Sequence, residues 1–150
     1  MQLTEHFTLE EMVYSEKAIE KGIKNVPTQE VISCLTVLCR EILEPLRIYL
    51  GKSIHINSGY RCPELNKAVG GAIDKKTGKP TSQHCFGMAA DIIVAGMTPK
   101  QVCDTIDKLV KMGKIKPYDQ LIEEFGANGW CHVSFTTKTT NRKMRFKIGC

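Results

Sequence analysis

The chain has 150 residues, of which 42% are hydrophobic, 25% charged and 7% aromatic, close to the averages of globular proteins. These values exclude disorder, a collagen-like repeat, a coiled coil and a multidomain machine, so we expect one domain over residues 1–150. The formal net charge is +5, from 21 Lys+Arg against 16 Asp+Glu, a mild bias that favours approach to an anionic polymer without naming one.

The N-terminal part of the sequence is predicted to be helical. Thr8 and the glutamate three residues later form a capping-box pattern at the start of LEEMVYSEKAIEKG, which predicts one short first helix ending at Gly22. After Thr28, apolar residues recur at helical spacing as far as Gly51. This segment is predicted to be the main core helix, with Pro45 as the point where it could bend.

Short strands dominate the rest of the chain. Alternating or apolar runs predict five strands, at residues 53–57, 89–94, 120–125, 130–135 and 143–148. Further helices are predicted to begin at Pro63 and Pro99, and Gly-Ala-Asn-Gly at 126–129 predicts a hairpin turn. Helices come first and the strands cluster late, so the expected class is α+β, with a small antiparallel sheet flanked by helices.

Cysteine usage and hydropathy bear on where the protein is made. The seven cysteines contain no C-x-x-C pair, which argues against a zinc finger, a thioredoxin motif and a dense disulfide framework. We expect buried free thiols formed in a reducing cytoplasm. No apolar run approaches the roughly 18 to 20 residues of a membrane span, and the N-terminal residues do not form a signal peptide pattern. The expectation is therefore cytoplasmic synthesis without a signal peptide or stable membrane insertion.

Two histidines and an aspartate could bind a divalent cation. His84 lies at the end of a polar loop, and Asp91 falls in an apolar strand, where a carboxylate needs a partner. Strand alternation places His132 on the less apolar face of its strand. Two imidazoles and a carboxylate would leave a fourth position open for water, as in catalytic zinc centres. The spacing also fits hydrogen-bonded structural histidines and a loop-pinning aspartate.

Five motifs occur in a fixed order along the chain: Ser58-Gly59-Tyr60-Arg61, Leu65-Asn66-Lys67-Ala68-Val69-Gly70-Gly71, Ser82-x-His84-x-x-Gly87-x-Ala89-Ala90-Asp91-Ile92, Asp119-Gln120-Leu121-Ile122 and Trp130-x-His132-Val133-Ser134-Phe135. Together they resemble the M15 family of zinc peptidases, the D-alanyl-D-alanine carboxypeptidases and peptidoglycan endopeptidases. The resemblance runs from His6 to about Phe135 and is strongest to the short phage-endolysin branch. It implies the Hedgehog/DD-peptidase fold.

The resemblance also assigns roles to particular residues. It implies Zn²⁺ as cofactor, with three protein ligands: His84, Asp91 and His132. Arg61 would hold a substrate carboxylate or the developing oxyanion, for which a permanently charged, bidentate guanidinium is suited. Ser82 is a candidate for a hydrogen bond to substrate or to a ligand's second nitrogen. Tyr60 is a further substrate-binding candidate, although packing alone would also explain it.

The general base is where the sequence departs from the wider family. Many members carry an acidic residue three positions before the last histidine, where this chain has Gly129. In the short branch that the sequence resembles most, the base is instead a glutamate at the end of the preceding strand. The resemblance therefore points to Glu124. Strand alternation puts Glu124 on the cleft side if Leu121 and Phe125 face the core, and a one-residue change of register would make Glu123 the candidate.

The predicted function is a zinc peptidase that cuts peptidoglycan stem peptides, as a monomeric phage or prophage endolysin that reaches the cell wall after holin-type release. The alternative is a non-catalytic, zinc-stabilised cell-wall-binding or structural module on the same fold. A nucleic-acid binder has only the basic C-terminal residues in its favour, so no nucleic-acid partner is expected.

Overall fold

The computed structural model describes residues 1–150, and its centre is one five-stranded sheet. The strands are β1 (Ile54–Ser58), β2 (Ala89–Val94), β3 (Gln120–Glu124), β4 (Trp130–Ser134) and β5 (Met144–Ile148). Their order across the sheet is β1-β2-β4-β3-β5. All five predicted strands are present, and the α+β class is confirmed.

The sheet is mixed, which corrects the expectation of purely antiparallel pairing. Three neighbouring pairs, β1–β2, β2–β4 and β3–β4, are antiparallel, but β3 and β5 are parallel. The hairpin brings the end of β4 next to the start of β3, and the chain then passes to the far side of β3 before β5 begins. Since β5 starts at the same end as β3, the two strands run in the same direction.

Six α-helices cover the sheet: α1 (Leu9–Val13), α2 (Glu16–Lys21), α3 (Gln29–Leu38), α4 (Glu44–Leu50), α5 (Pro63–Ala68) and α6 (Pro99–Lys111). The single first helix predicted from the sequence is wrong, because the segment contains two. Tyr14 is extended, with ψ of 135°, and ends α1. Ser15 then begins α2 by accepting a hydrogen bond from the Ala18 N–H at 3.2 Å.

The long core helix is interrupted before Pro45. A π-helical turn, Cys39–Leu43, separates α3 from α4. Proline has no N–H to continue the helical ladder, and its ring collides with the carbonyl four residues earlier, which is that of Glu41. The wider π turn surrounds this position, so the irregularity lies just upstream of the proline that requires it.

Helix α6 supplies much of the apolar cover of the sheet. Thr98 and Gln101 form a complete capping box at its start, and Pro99 occupies the first turn, where no N–H is needed. Four of its buried side chains recur at helical spacing, namely Val102, Cys103, Ile106 and Leu109. They belong to a core cluster of 28 residues. Six of the seven cysteines are buried and all seven are free thiols. The longest helices are too short and too polar to span a bilayer.

Asp119 ties three parts of the chain together. Its buried carboxylate accepts hydrogen bonds from the backbone N–H, Nε and Nη2 of Arg142, at 3.1, 2.9 and 2.9 Å. It also accepts one from Gln83 Nε2 at 3.0 Å. Gln83 begins the 3-10 turn Gln83–Phe86, so Asp119 connects that turn to the start of β3 and to the approach to β5.

We predict that Asp119→Asn destabilises the protein in a pH-dependent way. The Arg142 hydrogen bonds lower the pKa of Asp119, against the effect of burial. Its stabilisation is therefore present above the unfolded-state pKa of about 3.9 and lost as pH falls through the lower folded-state value. Urea unfolding at pH 7 should show a loss of about 1–3 kcal/mol in the free energy of unfolding.

The difference between Asp119→Asn and the unmodified chain should narrow as the pH is lowered below about 4. Glu64→Gln, which neutralises an exposed carboxylate in α5, is the matched control and should leave stability nearly unchanged. An Asp119→Asn penalty that stays constant from neutral to acid pH would refute the role given to the carboxylate charge.

Candidate metal centre

Three potential metal ligands meet between the middle of the sheet and the loop beside it. Asp91 lies in β2, directly opposite His132 in β4, and His84 lies in the 3-10 turn that precedes β2. All three side chains are buried, and one ligand atom from each lies within 4.8 Å of the others. Asp91 Oδ1 is 2.9 Å from His132 Nδ1 and 3.4 Å from His84 Nε2. The structure thus brings together the three residues proposed as zinc ligands.

Asp91 is a buried carboxylate whose neighbours favour its charged form. Burial raises the pKa of Asp91, but the imidazoles of His132 and His84 beside it outweigh that effect and hold the pKa well below its ordinary value. The carboxylate is therefore ionised at neutral pH. An ionised oxygen with two imidazoles beside it is a donor set that divalent zinc prefers.

His84 is held in the tautomer that a metal ligand requires. Its Nδ1 lies 2.7 Å from the carbonyl oxygen of Gly59, which can only accept, so Nδ1 carries the proton and the lone pair of Nε2 faces Asp91. The backbone repeats the connection, because the Arg61 N–H donates to the His84 carbonyl at 3.1 Å. No other residue type fits at Gly59, since a Cβ there would lie 2.2 Å from the Met12 carbonyl oxygen.

His132 is bonded differently from a structural histidine. Its Nδ1 contacts Asp91, and its Nε2 is buried without a hydrogen-bond partner. A buried ring nitrogen without a hydrogen-bond partner lowers stability. The hydrogen bonds of the His132 imidazole are therefore incomplete, whereas those of a buried structural histidine are normally complete. Two ligands at about 2.0–2.1 Å from a tetrahedral zinc lie about 3.3–3.4 Å apart. The separations of Asp91 from the two histidines are close to that, so these residues fit a divalent metal.

A cavity of about 550 Å³ opens beside the three ligands. We call it the first cavity; its walls include all three ligands together with Arg61, Ser82, Gln83, Gln120, Ile122, Glu124, Trp130 and Arg142. Arg61 Nη2 donates to Ser82 Oγ at 3.1 Å, and the same oxygen accepts from the His84 N–H at 3.3 Å. Arg61 Nε is buried and has no partner. Ser82 thus aligns the guanidinium and leaves one of its donors free for an anion.

Tyr60 is placed differently from Arg61. Its side chain is buried and lines a separate, adjoining cavity rather than the one beside the three ligands. Its backbone N–H donates to the Met12 carbonyl at 2.7 Å. The structure therefore gives Tyr60 a packing role at the metal centre, and its proposed contact with substrate stays a prediction.

The two candidate glutamates face opposite sides of β3. Glu124 lies on the wall of the first cavity and accepts a hydrogen bond from the indole N–H of Trp130. Glu123 is buried on the other face, where its Oε2 accepts from Arg145 at 2.5 Å. Arg145 also pairs with Asp104 and Asp107. The register gives Glu124 access to the cavity and commits Glu123 to a structural ion-pair network.

Local geometry explains why Gly129 cannot carry the acidic residue common in the wider family. A Cβ on Gly129 would lie 1.6 Å from the Glu124 carbonyl oxygen. The hairpin is tight at this point, with Phe125 in the left-handed region at φ 61° and a 3-10 turn over Gly126–Asn128. Glu124 lies across from Trp130 in the same hairpin. A carboxylate therefore reaches the cavity from β3 in a chain that cannot hold one at 129.

Asn25, in the segment between α2 and α3, also supports the site. Its Nδ2 donates to the carbonyls of Tyr60 and Val13 at 2.9 and 2.8 Å, and its Oδ1 accepts from the Cys62 N–H at 2.7 Å. Asn25 thus hydrogen-bonds the backbone of the residues on both sides of Arg61. No periodicity marks such a residue, since its three partners lie 12, 35 and 37 positions away from it in sequence.

Comparison with known families gives one match. A family model described as Peptidase M15 matches residues 5–134 of the chain. The matched span includes the three potential ligands, Arg61 and Glu124 but ends before Arg142. A search of curated protein sequences finds no match.

We predict that the protein binds one divalent zinc ion and that Asp91→Asn weakens this binding at least tenfold, because the change removes the charged oxygen of the donor set. Isothermal titration calorimetry and metal analysis after dialysis would measure it. His55→Ala, which removes an exposed histidine on β1, is the control and should retain one equivalent. Equal zinc affinity in Asp91→Asn and the unmodified chain would show that the metal lies elsewhere.

Proposed function

Since the chain belongs to the peptidase M15 family, we propose that it is a zinc-dependent peptidase that hydrolyses amide bonds in the stem peptides of bacterial peptidoglycan. M15 peptidases are metal-dependent. The observation that carries the proposal is the common wall of the first cavity, where three potential ligands, an arginine and a glutamate surround one space. These groups are the parts that hydrolysis of an amide requires.

The chain's own residues would divide the work as follows. His84, Asp91 and His132 would hold the zinc ion, which would supply Lewis acidity for the scissile carbonyl and lower the pKa of water toward neutrality. Glu124 takes a proton from the attacking water and returns it to the leaving amine. The Trp130 indole N–H, which donates to Glu124, holds the carboxylate toward the cavity.

Arg61 would anchor negative charge in the substrate. It is charged at neutral pH even though burial lowers its pKa, an effect that the Asp91 carboxylate partly offsets. Its free Nε and the Nη2 aligned by Ser82 suit a carboxylate or the oxyanion that develops on the attacked carbonyl. Stem peptides offer such carboxylates, which supports peptidoglycan as the substrate.

We extend the proposal to a biological setting. The net charge of +5 favours approach to an anionic cell wall, and the five ordered motifs resemble the short phage-endolysin branch. On this proposal the protein is a monomeric endolysin that is made in the host cytoplasm and gains access to the wall through a holin-type opening.

A non-catalytic zinc-stabilised module is the alternative. Its main support was Gly129 in place of an acidic residue, and Glu124 on the cavity wall weakens that argument. A nucleic-acid binder gains nothing from the structure, because Arg142 and Arg145 are engaged in ion pairs with carboxylates.

We predict that Glu124→Gln lowers kcat by about 10²–10⁴ while zinc content stays at one equivalent, because the amide cannot accept the proton. Release of fragments from purified peptidoglycan measures turnover, and metal analysis measures zinc. Glu123→Gln is the matched control, and we expect kcat within about threefold of the unmodified chain, with lower stability because Arg145 loses a partner. Full activity in Glu124→Gln would favour the other glutamate, and inactivity of every form would favour the binding module.

We also predict that Arg61→Lys lowers kcat/KM at least tenfold without loss of zinc. Lysine keeps the charge but lacks the planar fork that bonds Ser82 and an anion together. Arg40→Lys, at an exposed position outside the site, should leave kcat/KM unchanged. If both variants behave alike in steady-state kinetics, charge alone suffices at position 61.

A further inference from the structure

A second cavity, also of about 550 Å³, adjoins the first at Arg61, which lines both. It is formed between the junction of α1 and α2, the exposed face of β1 and helix α5. Its walls include Tyr14, Lys17, His55, Asn57, Tyr60 and Leu65. None of these six residues lines the first cavity.

The two cavities meet at the metal centre. Four residues line both of them: Arg61, Val69, Asp91 and Trp130. Asp91 is one of the three potential ligands, and Trp130 is the residue that holds Glu124. A ligand that fills both recesses must therefore pass directly beside the metal and the general base.

We propose that the two cavities form one continuous substrate groove and that the enzyme is an endopeptidase, with peptide bound on both sides of the scissile bond. This inference rests on the proposed function. A carboxypeptidase removes a terminal residue and needs space for the chain on only one side of the metal, beyond a recess that ends. Here one potential ligand, Asp91, lines both recesses, each of about 550 Å³.

The two halves of the groove differ in chemistry. The first cavity carries the guanidinium group of Arg61, which suits a carboxylate, and is also lined by Arg142, whose guanidinium is paired with Asp119. The second carries groups of both signs, Glu16 and Lys17, together with His55 and the apolar side chains of Tyr14 and Leu65. A peptide segment with small apolar side chains and an ionic branch, such as a cross-linked stem peptide, matches this mixture.

The proposed step is hydrolysis of an internal amide. One water is consumed as the carbonyl carbon gains a C–O bond and loses its C–N bond. The acyl product leaves as a carboxylate, and the amine product takes the proton delivered by Glu124. Both products are peptides, and no co-reactant other than water is needed.

The test compares substrates that extend on one side or on both sides of the cleaved bond. Zinc-loaded protein is incubated with cross-linked stem-peptide fragments and with stem peptides truncated progressively from each end, and products are identified by mass spectrometry. We expect two peptide products from an internal cut. We also expect kcat/KM to fall at least about fivefold when either flank of that bond is removed.

Variants in the second cavity provide an independent measurement. His55→Trp and Asn57→Trp place a large side chain in it from two exposed positions on β1. For the doubly extended substrate, each should raise KM about fivefold or more and leave kcat nearly unchanged. For a peptide that lacks the flank bound in this cavity, neither substitution should change KM or kcat. Lys52→Trp, exposed just before β1 and outside both cavities, is the matched control.

The outcomes separate this inference from the proposed function. The endopeptidase assignment would be overturned if only single terminal residues were released and neither tryptophan substitution changed KM. The enzyme would still be a peptidase in that case. Zinc-loaded, folded protein that cleaves none of the peptides would overturn the proposed function, and the groove assignment with it.

Discussion

The structure is organised around one buried negative charge. Asp91 lies in β2, a strand whose other residues are apolar or small, and it is buried away from water. Such a carboxylate is tolerable only with partners, which the fold supplies as His132 from the neighbouring strand and His84 from the preceding turn. The antiparallel register of β2 and β4 is therefore a requirement of the site as well as of the sheet. A divalent metal ion bound by the three residues would compensate the carboxylate charge.

The segment before α5 connects this centre to the helical part of the fold. Gly59 accepts from the His84 ring, Arg61 donates to the His84 backbone, and Asn25 grips the backbone on either side of Arg61. A disturbance of α1 or of the Asn25 loop should thus reach the anion-binding arginine and one ligand together. The same helix junction forms a wall of the second cavity, which is why the N-terminal helices matter for substrate binding as well as for packing.

Local patterns predicted much of the fold, and the resemblance to the M15 family supplied the candidate site residues. Period-two alternation predicted which residues share a face of β3 and β4 but left Glu124 and Glu123 open, because the choice depends on the hairpin register. The motifs that carry the resemblance grouped His84, Asp91 and His132, which the structure brings together. The parallel pairing of β5 escaped prediction because strand direction depends on where the chain crosses β3, which leaves no trace in composition. The roles of Asn25 and of the second cavity were missed for a related reason, since each depends on contacts between segments distant in sequence. The steric exclusion of a side chain at Gly129 follows from the hairpin geometry, which the sequence pattern does not show.

The central claim is that the buried triad holds a metal that serves hydrolysis of peptidoglycan. Its most direct test is mass spectrometry of fragments released from purified peptidoglycan of several stem-peptide types, with and without a zinc chelator. We expect release of stem-peptide fragments that stops with the chelator and returns when zinc is restored. No release from any type by folded, zinc-loaded protein, or release unaffected by the chelator, would contradict it.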